Sequence, residues 1–486
     1  MKRLLSITLL LLVAFALNAI PLRILHTNDT HGSYQPQTMK SGELIGGYPA
    51  IEYYLNAERK SAARSIYLDA GDQQTGSMFS SLTYEGLIGG AVIKTFNMLK
   101  LDASTFGNHE FDQTFATTQG YFQKANYPFV STTLQTKDGK PFGGVPYKII
   151  TLDSLRVVIM GLSLVELSEK VRPSNIAALN ILPYKQAIDQ YIDEVDRQSD
   201  LIVLITHLGY EADSLLATTL DNRVDVIVGG HSHVGIDEPW QVNGIYITST
   251  GSHTIYLGEM DIDVVNDRIA SFNSRLIPLI VPKELPLTPL NQFVDGLAKS
   301  IDAEMGKPIA TIPEDWKPDK FKATHLSEWV AGALFLQYQE FKPDVAIINN
   351  GGFRKSILAG DVTLRDMHEL IPFNNYVLLF SCYGRDLLTM DAKNQQLAID
   401  KPYDIVQTAN SGWAIGSWGG DTILKKAYVV GSKPIDPNKL YRVVSHDYVS
   451  EQWDKYLGFQ PLDVQETGDL VLDAVIEQLV LQFGKK

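Results

Sequence analysis

Five times between Leu22 and His233 a short apolar, strand-like run leads into a loop that carries metal-ligating side chains, and no other feature limits the fold as strongly. The first case is Leu25-His26-Thr27-Asn28-Asp29-Thr30-His31-Gly32. Asp29 and His31 are two residues apart, so on an extended exit their side chains point to one side. Asp72 follows Ile66-Tyr67-Leu68 in Asp69-Ala70-Gly71-Asp72, and Asn108 and His109 lie in Gly107-Asn108-His109-Glu110. His207 follows the run Leu201 to Ile205, and His231 and His233 follow Val228 in Gly229-Gly230-His231-Ser232-His233. In open α/β sheets ligands collect outside the carboxyl ends of the strands. The pattern therefore asks for a fold in which five strand exits converge.

The rest of the first half fits such a fold. The strand-like runs include Ser65 to Leu68, Val157 to Met160, Leu201 to Ile205 and Val224 to Val228, and several, such as Val157 to Met160 and Leu201 to Ile205, are continuously apolar, as in strands buried on both faces. Helical stretches alternate with them at Ala50 to Ala63, Gly89 to Lys100 and Tyr184 to Gln198. This is an α/β pattern. Three prolines between Pro282 and Pro289 mark a boundary. Leu290 to Met305 reads as a linking helix. The second domain then opens with an amphipathic stretch, His325 to Gln339, and a strand, Asp344 to Ile348. A length of 486 residues is too great for one compact core. The expected divisions are 1–19, 20–285, 286–312 and 313–486, as leader, first domain, linking helix and second domain.

Lys2 and Arg3 before the apolar run Leu4 to Leu17, with Ala19 as the small residue at the cut, read as a secretory signal. The run is shorter than the ~20 residues of a membrane span. No later stretch is long and apolar enough to span, so no stable span is expected after cleavage. The net charge of −14 argues against a nucleic-acid polymer as partner, which would need a basic face. The one cysteine, Cys382, cannot form an internal disulfide and sits in an apolar run as a buried filler.

Imidazole, carboxylate and amide ligands without thiolate suit Zn, Mn, Fe or Co. Asp29, His31, Asp72, Asn108, His207, His231 and His233 are too many for one ion and suit two divalent ions sharing one carboxylate. His26, His253, His325, His368 and His446 do not follow the pattern and are read as non-ligands.

Taken in order, Asp-x-His, Gly-Asp, Gly-Asn-His-Glu, a single His and Gly-His-x-His resemble the calcineurin-like metallophosphoesterases. Leu-His-Thr-Asn-Asp-x-His-Gly and Gly-Asn-His-Glu-Phe-Asp narrow this to the secreted 5′-nucleotidase and nucleotide-sugar hydrolase branch. The resemblance implies an N-terminal β-sandwich flanked by helices and a smaller C-terminal α/β substrate domain. It implies that Asp29, His31, Asp72 and His233 hold one metal, and Asp72, Asn108, His207 and His231 the other. Some members carry Gln where this chain has His233. His109 and Asp112 match the catalytic pair. Two ions a few ångströms apart lower the pKa of a shared water toward about 7 and clamp both oxygens of an in-line displacement.

In the second domain, Asn349-Asn350-Gly351-Gly352-Phe353-Arg354 resembles the substrate motif. Arg354 would grip phosphate, since its planar fork matches a phosphate oxygen pair, and Asn350 belongs to the same motif. For the aromatic base clamp, Gln452-Trp453-Asp454-Lys455-Tyr456 is the nearest match. It keeps Asp454 and Tyr456 but replaces all three glycines of the family loop, and Trp413 is the nearest second ring. The implied enzyme is an exported phosphatase of nucleoside 5′-monophosphates, located in the periplasm or outside the cell. A UDP-sugar diphosphatase, a 2′,3′-cyclic-nucleotide phosphodiesterase, a hydrolase of sulfur-linked groups and a non-catalytic binding protein are the alternatives.

Overall fold

The structure is a computed structural model that describes residues 19–39, 41–373, 375–417 and 425–484. The expected leader, residues 1–18 above all, lies outside the described residues. Contacts divide the chain into two units. One comprises the residues up to Val171 with Asn175–Ala298, and the other Arg172–Ser174 with Lys299–Lys486.

The first unit is built on two sheets. In one, the strand Ile20–Thr27 pairs antiparallel with Tyr256–Val264 and parallel with Ser65–Asp69, which pairs parallel with Ala103–Ser104. In the other, Leu155–Ser163, Leu201–His207, Val226–Gly229 and Ile245–Thr248 run parallel. All seven residues of Leu201–His207 are buried, as its unbroken apolar run requires. The period of two sorts its side chains. Leu201, Val203 and Ile205 join Val157, Ile159, Ile24 and Leu68 between the sheets. Ile202 and Leu204 face the other way with Val158 and Met160, and meet Ile188, Ile192, Val195 and Leu216 from the covering helices. Each fully buried Leu, Ile or Val contributes roughly 1.5–3 kcal/mol. The architecture is the helix-flanked β-sandwich expected.

The helices Tyr48–Ser61 and Gly90–Leu99 lie where their patterns place them. Tyr184 to Gln198 is different. It forms two short helices, Tyr184–Asp189 and Ile192–Asp196, broken at Tyr191, whose ring meets Tyr147 edge-on at 5.9 Å. Apolar spacing carries through the break, so the pattern alone reads as one helix.

Pro289–Met305 is one helix, opened by proline at its first turn, where no N–H is needed. The division between units falls inside it, after Ala298. In the second unit a five-stranded sheet runs in the order Val406–Ala409, Val345–Asn349, Leu440–His446, Tyr376–Tyr383, Leu462–Leu470. One face buries Ile348 and Val377 under the helices His325–Gln337 and Val471–Phe483. Thr324 caps the former, accepting from Ser327 N. The other face buries Ile347, Phe380, Val443 and Cys382, with Leu387 of the helix Gly384–Asp400. Burial pushes the Cys382 thiol up to about 12, so this residue packs as a hydrophobe. Among the described residues no helix is long and apolar enough to cross a membrane.

Candidate active site

The strands Ile20–Thr27, Ser65–Asp69 and Val226–Gly229 end just before the predicted ligands, and Leu201–His207 ends on one. The exits are laced together by backbone bonds, Asp29 N to Gly71 O at 2.9 Å and His31 N to Asp72 O at 3.0 Å. Five of the seven ligand candidates adopt a left-handed backbone, with φ of 49° at Asp29 and His31, 55° at Asp72, 79° at His231 and 57° at His233. A non-glycine residue held there costs roughly 1–2 kcal/mol. Such strain persists where surrounding structure dictates it, and it concentrates at functional sites. Gly107 is required for a different reason, since any Cβ there would overlap the Asp72 carboxylate.

The side chains converge as three groups. Asp29, His31 and His233 form one, Asp72, His207 and His231 another, and His31, Asp72 and His109 a third that shares a residue with each. His31 Nε2 lies 3.0 Å from His233 Nε2, and His233 Nε2 lies 3.3 Å from Asp29 Oδ1. His207 Nε2 is 3.0 Å from Asp72 Oδ2 and 4.0 Å from Asp29 Oδ1. His231 Nδ1 is 2.9 Å from Asn108 Oδ1. The opposite ring nitrogens are occupied by carbonyls, with His31 Nδ1 at 2.9 Å from Thr75 O and His207 Nδ1 at 2.8 Å from Ala70 O. Those bonds fix the tautomers so that the Nε2 lone pairs face inward. His207 Nε2 is fully buried and makes no hydrogen bond. An orphaned imine nitrogen, two facing imidazoles and two carboxylates fit divalent cations.

The two carboxylates dominate the electrostatics. Burial pulls the His207 imidazolium down, but Asp72 and Asp29 outweigh it and push it up to about 10. Burial raises Asp72, but His207 and His109 hold it well below the usual carboxylate range. Burial lowers His31 to about 3 and His231 to about 4, so both stay neutral and ready to ligate. His109 stands beside this group, its ring 5.1 Å from that of His31. Its Nδ1–H donates to Asp112 Oδ2 at 2.5 Å, and its backbone N–H donates to Asp72 Oδ1 at 2.8 Å.

Two residues at the site were not assigned a role from sequence. Glu110 is wholly buried and accepts from the backbone N–H of Gly107 at 2.7 Å, Gln73 at 2.8 Å and Asp72 at 3.0 Å. It holds the Asp72 and Asn108 loops together, and an acid directly after His109 was the available signal. His253, read as outside the pattern, stands with its ring 5.1 Å from His31 and 5.6 Å from His233. Its backbone N–H donates to Asp29 O at 2.8 Å, yet it belongs to none of these groups. No spacing rule reaches it, because the chain returns there from a distant strand.

The second unit departs further from expectation. Arg354 is exposed, its guanidinium 5.6 Å from the Phe373 ring centroid. Asn350 is fully buried, and its amide donates to Asp319 O at 2.9 Å and Lys322 O at 2.8 Å. Its amide thus ties the loop to the segment from Asp319 to Lys322. Tyr456 is 0 % exposed and donates to Asp404 Oδ1 at 2.8 Å. The reading of Tyr456 as an open stacking ring is thus corrected. Without the glycines of the family loop, the segment forms the short helix Trp453–Tyr456, which turns this ring inward. Asp454 on the same turn is exposed. Trp413 is 50 % exposed on the ribbon Ser411–Gly416, with its Nε1 donating to Asp391 Oδ2 at 2.9 Å.

Residues 22–235 match the model for calcineurin-like phosphoesterases, and residues 308–461 the model for the 5′-nucleotidase C-terminal domain. The chain belongs to the 5′-nucleotidase family. Like others of that family it is a metal-dependent phosphoester hydrolase. A 5′-nucleotidase of Vibrio cholerae is 25% identical over 418 residues, covering 76% of this chain and 74% of the relative. Protein UshA of Salmonella pullorum is 24% identical, covering 93% and 91%. In fold, the crystal structure of a 5′-nucleotidase precursor from Thermus thermophilus covers 96% of this chain and 97% of its own, at 20% identity and a TM-score of 0.78.

Proposed function

We propose that this chain is an exported two-metal phosphatase that releases phosphate from nucleoside 5′-monophosphates. The observation that carries the reading is the pairing of the two ligand groups with the His109–Asp112 dyad beside Asp72. Asp29, His31, Asp72 and His233 would hold one cation, and Asp72, Asn108, His207 and His231 the other. When bound, the cations supply Lewis-acid charge and an activated water. The net reaction adds water across the phosphorus–oxygen ester bond, giving a free alcohol and phosphate.

The chain's own residues do the rest. His109, with Nδ1–H on Asp112, directs Nε2 outward and protonates the leaving alkoxide there. Asp112 keeps that tautomer and stabilises the charged ring. Glu110 keeps the Asp72 and Asn108 loops in register. Arg354 in the second unit binds phosphate with its paired donors. Export is supported by Lys2 and Arg3 ahead of the run Leu4 to Leu17. The nucleotide reading draws on curated relatives named 5′-nucleotidase that match three quarters of the chain.

The test is phosphate release from AMP, UMP, UDP-glucose, 2′,3′-cyclic AMP and an aryl phosphate, with Mn or Zn and with chelator. Metal-dependent release from AMP and UMP above the aryl ester is expected. Release from the aryl ester alone would remove the nucleotide from the reading and leave the metal chemistry. No release under any metal would overturn both.

A further inference from the structure

The turn from Gly107 to Asp112 carries a ligand candidate and the dyad together. Asn108 faces His231, and His109 meets Asp112. The centre of this segment is a single 3₁₀ turn, His109–Phe111. So short a helix leaves its last carbonyls without partners of its own, and a buried carbonyl needs a donor. Other parts of the first unit supply the donors. Glu110 O accepts from Thr118 Oγ1 at 2.8 Å. Phe111 O and Asp112 O accept from one side-chain amide, Asn175 Nδ2, at 2.9 and 3.4 Å.

Asn175 lies on the short helix Pro173–Ile176 and is 8 % exposed. Its amide nitrogen spans two successive carbonyls of the dyad turn. The Phe111 ring between them is fully buried, with Phe106 and Phe142 at 5.7 and 5.8 Å. The start and the end of the turn are therefore braced by different residues. At the start, the Glu110 carboxylate takes Gly107 N and Asp72 N and so serves the ligand loops. At the end, Asn175 holds the carbonyl of the residue whose carboxylate meets His109 Nδ1. Releasing that carbonyl lets the Asp112 backbone move and takes its carboxylate off the imidazole.

We propose that Asn175 is a positioning residue for proton transfer. By holding the Phe111 and Asp112 carbonyls it keeps Asp112 on His109, and through Asp112 it keeps His109 Nε2 aimed at the leaving oxygen. This rests on the function proposed above and adds to it a residue that touches neither substrate nor cation.

The test is a double-mutant cycle on the metal-loaded full chain, read on AMP and on an aryl phosphate. Asn175→Ala lowers kcat on AMP by roughly 10–10²-fold, the scale of a catalytic group displaced by about an ångström, and leaves KM in place. The loss on the aryl ester is smaller, because phenolate leaves with less need of the proton. Placed on His109→Asn, the same substitution lowers kcat no further, since no imidazole is left to position. Asn175→Leu fills the space without the donors, so a loss shared by both variants reports the missing amide and not a cavity. Asn175→Gln returns an amide and recovers part of the rate. Elemental analysis shows native metal content throughout. Native kcat in Asn175→Ala and Asn175→Leu would overturn the proposal, as would equal losses on the two esters. A further loss on top of His109→Asn, or a loss of metal in step with rate, would overturn it too and mark a general structural role. His109→Asn by itself reads the catalytic proposal. Native turnover there would remove the dyad from the mechanism, whereas native turnover in the Asn175 variants alone would remove only this inference.

Discussion

The metal-ligand loops of the first unit and the Asn349–Arg354 loop of the second both follow strand ends, and both were singled out by motif. They use their motif residues in opposite ways. In the first unit the polar side chains point into one cluster, and the backbone bends through left-handed conformations to allow it. In the second, the most conspicuous polar side chain, Asn350, turns back to bind backbone carbonyls, and Tyr456 turns inward to Asp404. The groups left facing outward are cations resting on rings. A motif in the first unit therefore names ligands. A motif in the second names the scaffold that presents them.

The strongest way to break this contrast is Asp72→Asn. It removes the carboxylate that would serve both cations and the negative charge that faces His207. Several kcal/mol of transition-state stabilisation should go with it, so kcat/KM falls by roughly 10³–10⁵-fold for aryl and nucleotide esters alike. Metal analysis of the purified variant should show reduced content. Near-native turnover with full metal would mean that Asp72 does not bridge.

His109→Asn sharpens the comparison inside the first unit. Here kcat should fall roughly 10²–10⁴-fold with metal content intact, as expected of a residue that moves a proton and holds no cation. Its effect should be smaller on an aryl phosphate than on AMP, since phenolate leaves without needing a proton as much as an alkoxide does. Equal losses on both would argue for charge stabilisation in place of proton transfer.

The smallest effect is expected in the second unit. Tyr456→Phe removes a hydroxyl from the buried Asp404 carboxylate and should cost about 1–3 kcal/mol of stability, read by denaturant unfolding. The metal content should not move. Trp413→Ala, half exposed on its ribbon, should change stability by less than about 0.5 kcal/mol. If Tyr456→Phe left stability untouched and raised KM for AMP instead, the ring would be a substrate contact and the contrast drawn here would fail.

How much was legible differs by residue. The convergence of Asp29, His31, Asp72, Asn108, His207, His231 and His233 was legible because each is tied to a strand end by a few residues, and parallel strands bring such ends together. Glu110 was visible as an acid in the right place, but its role required knowing which N–H groups face it. His253 was not legible, since its place beside His31 depends on the fold of a segment over 200 residues away. The single helix expected from Tyr184 to Gln198 failed because periodicity is silent about a break at Tyr191, where one ring finds a partner on another strand.

By itself the sequence determined the α/β class, the two-part organisation and the clustering of imidazole and carboxylate donors. Those follow from period, apolar runs and donor type, which are local. Only the tertiary structure decided that Asn350 and Tyr456 face inward, that Glu110 anchors two loops, and that Asn175 reaches the carbonyls of Phe111 and Asp112. Each of these depends on which distant group lies opposite, and a buried polar side chain settles on whichever partner satisfies it.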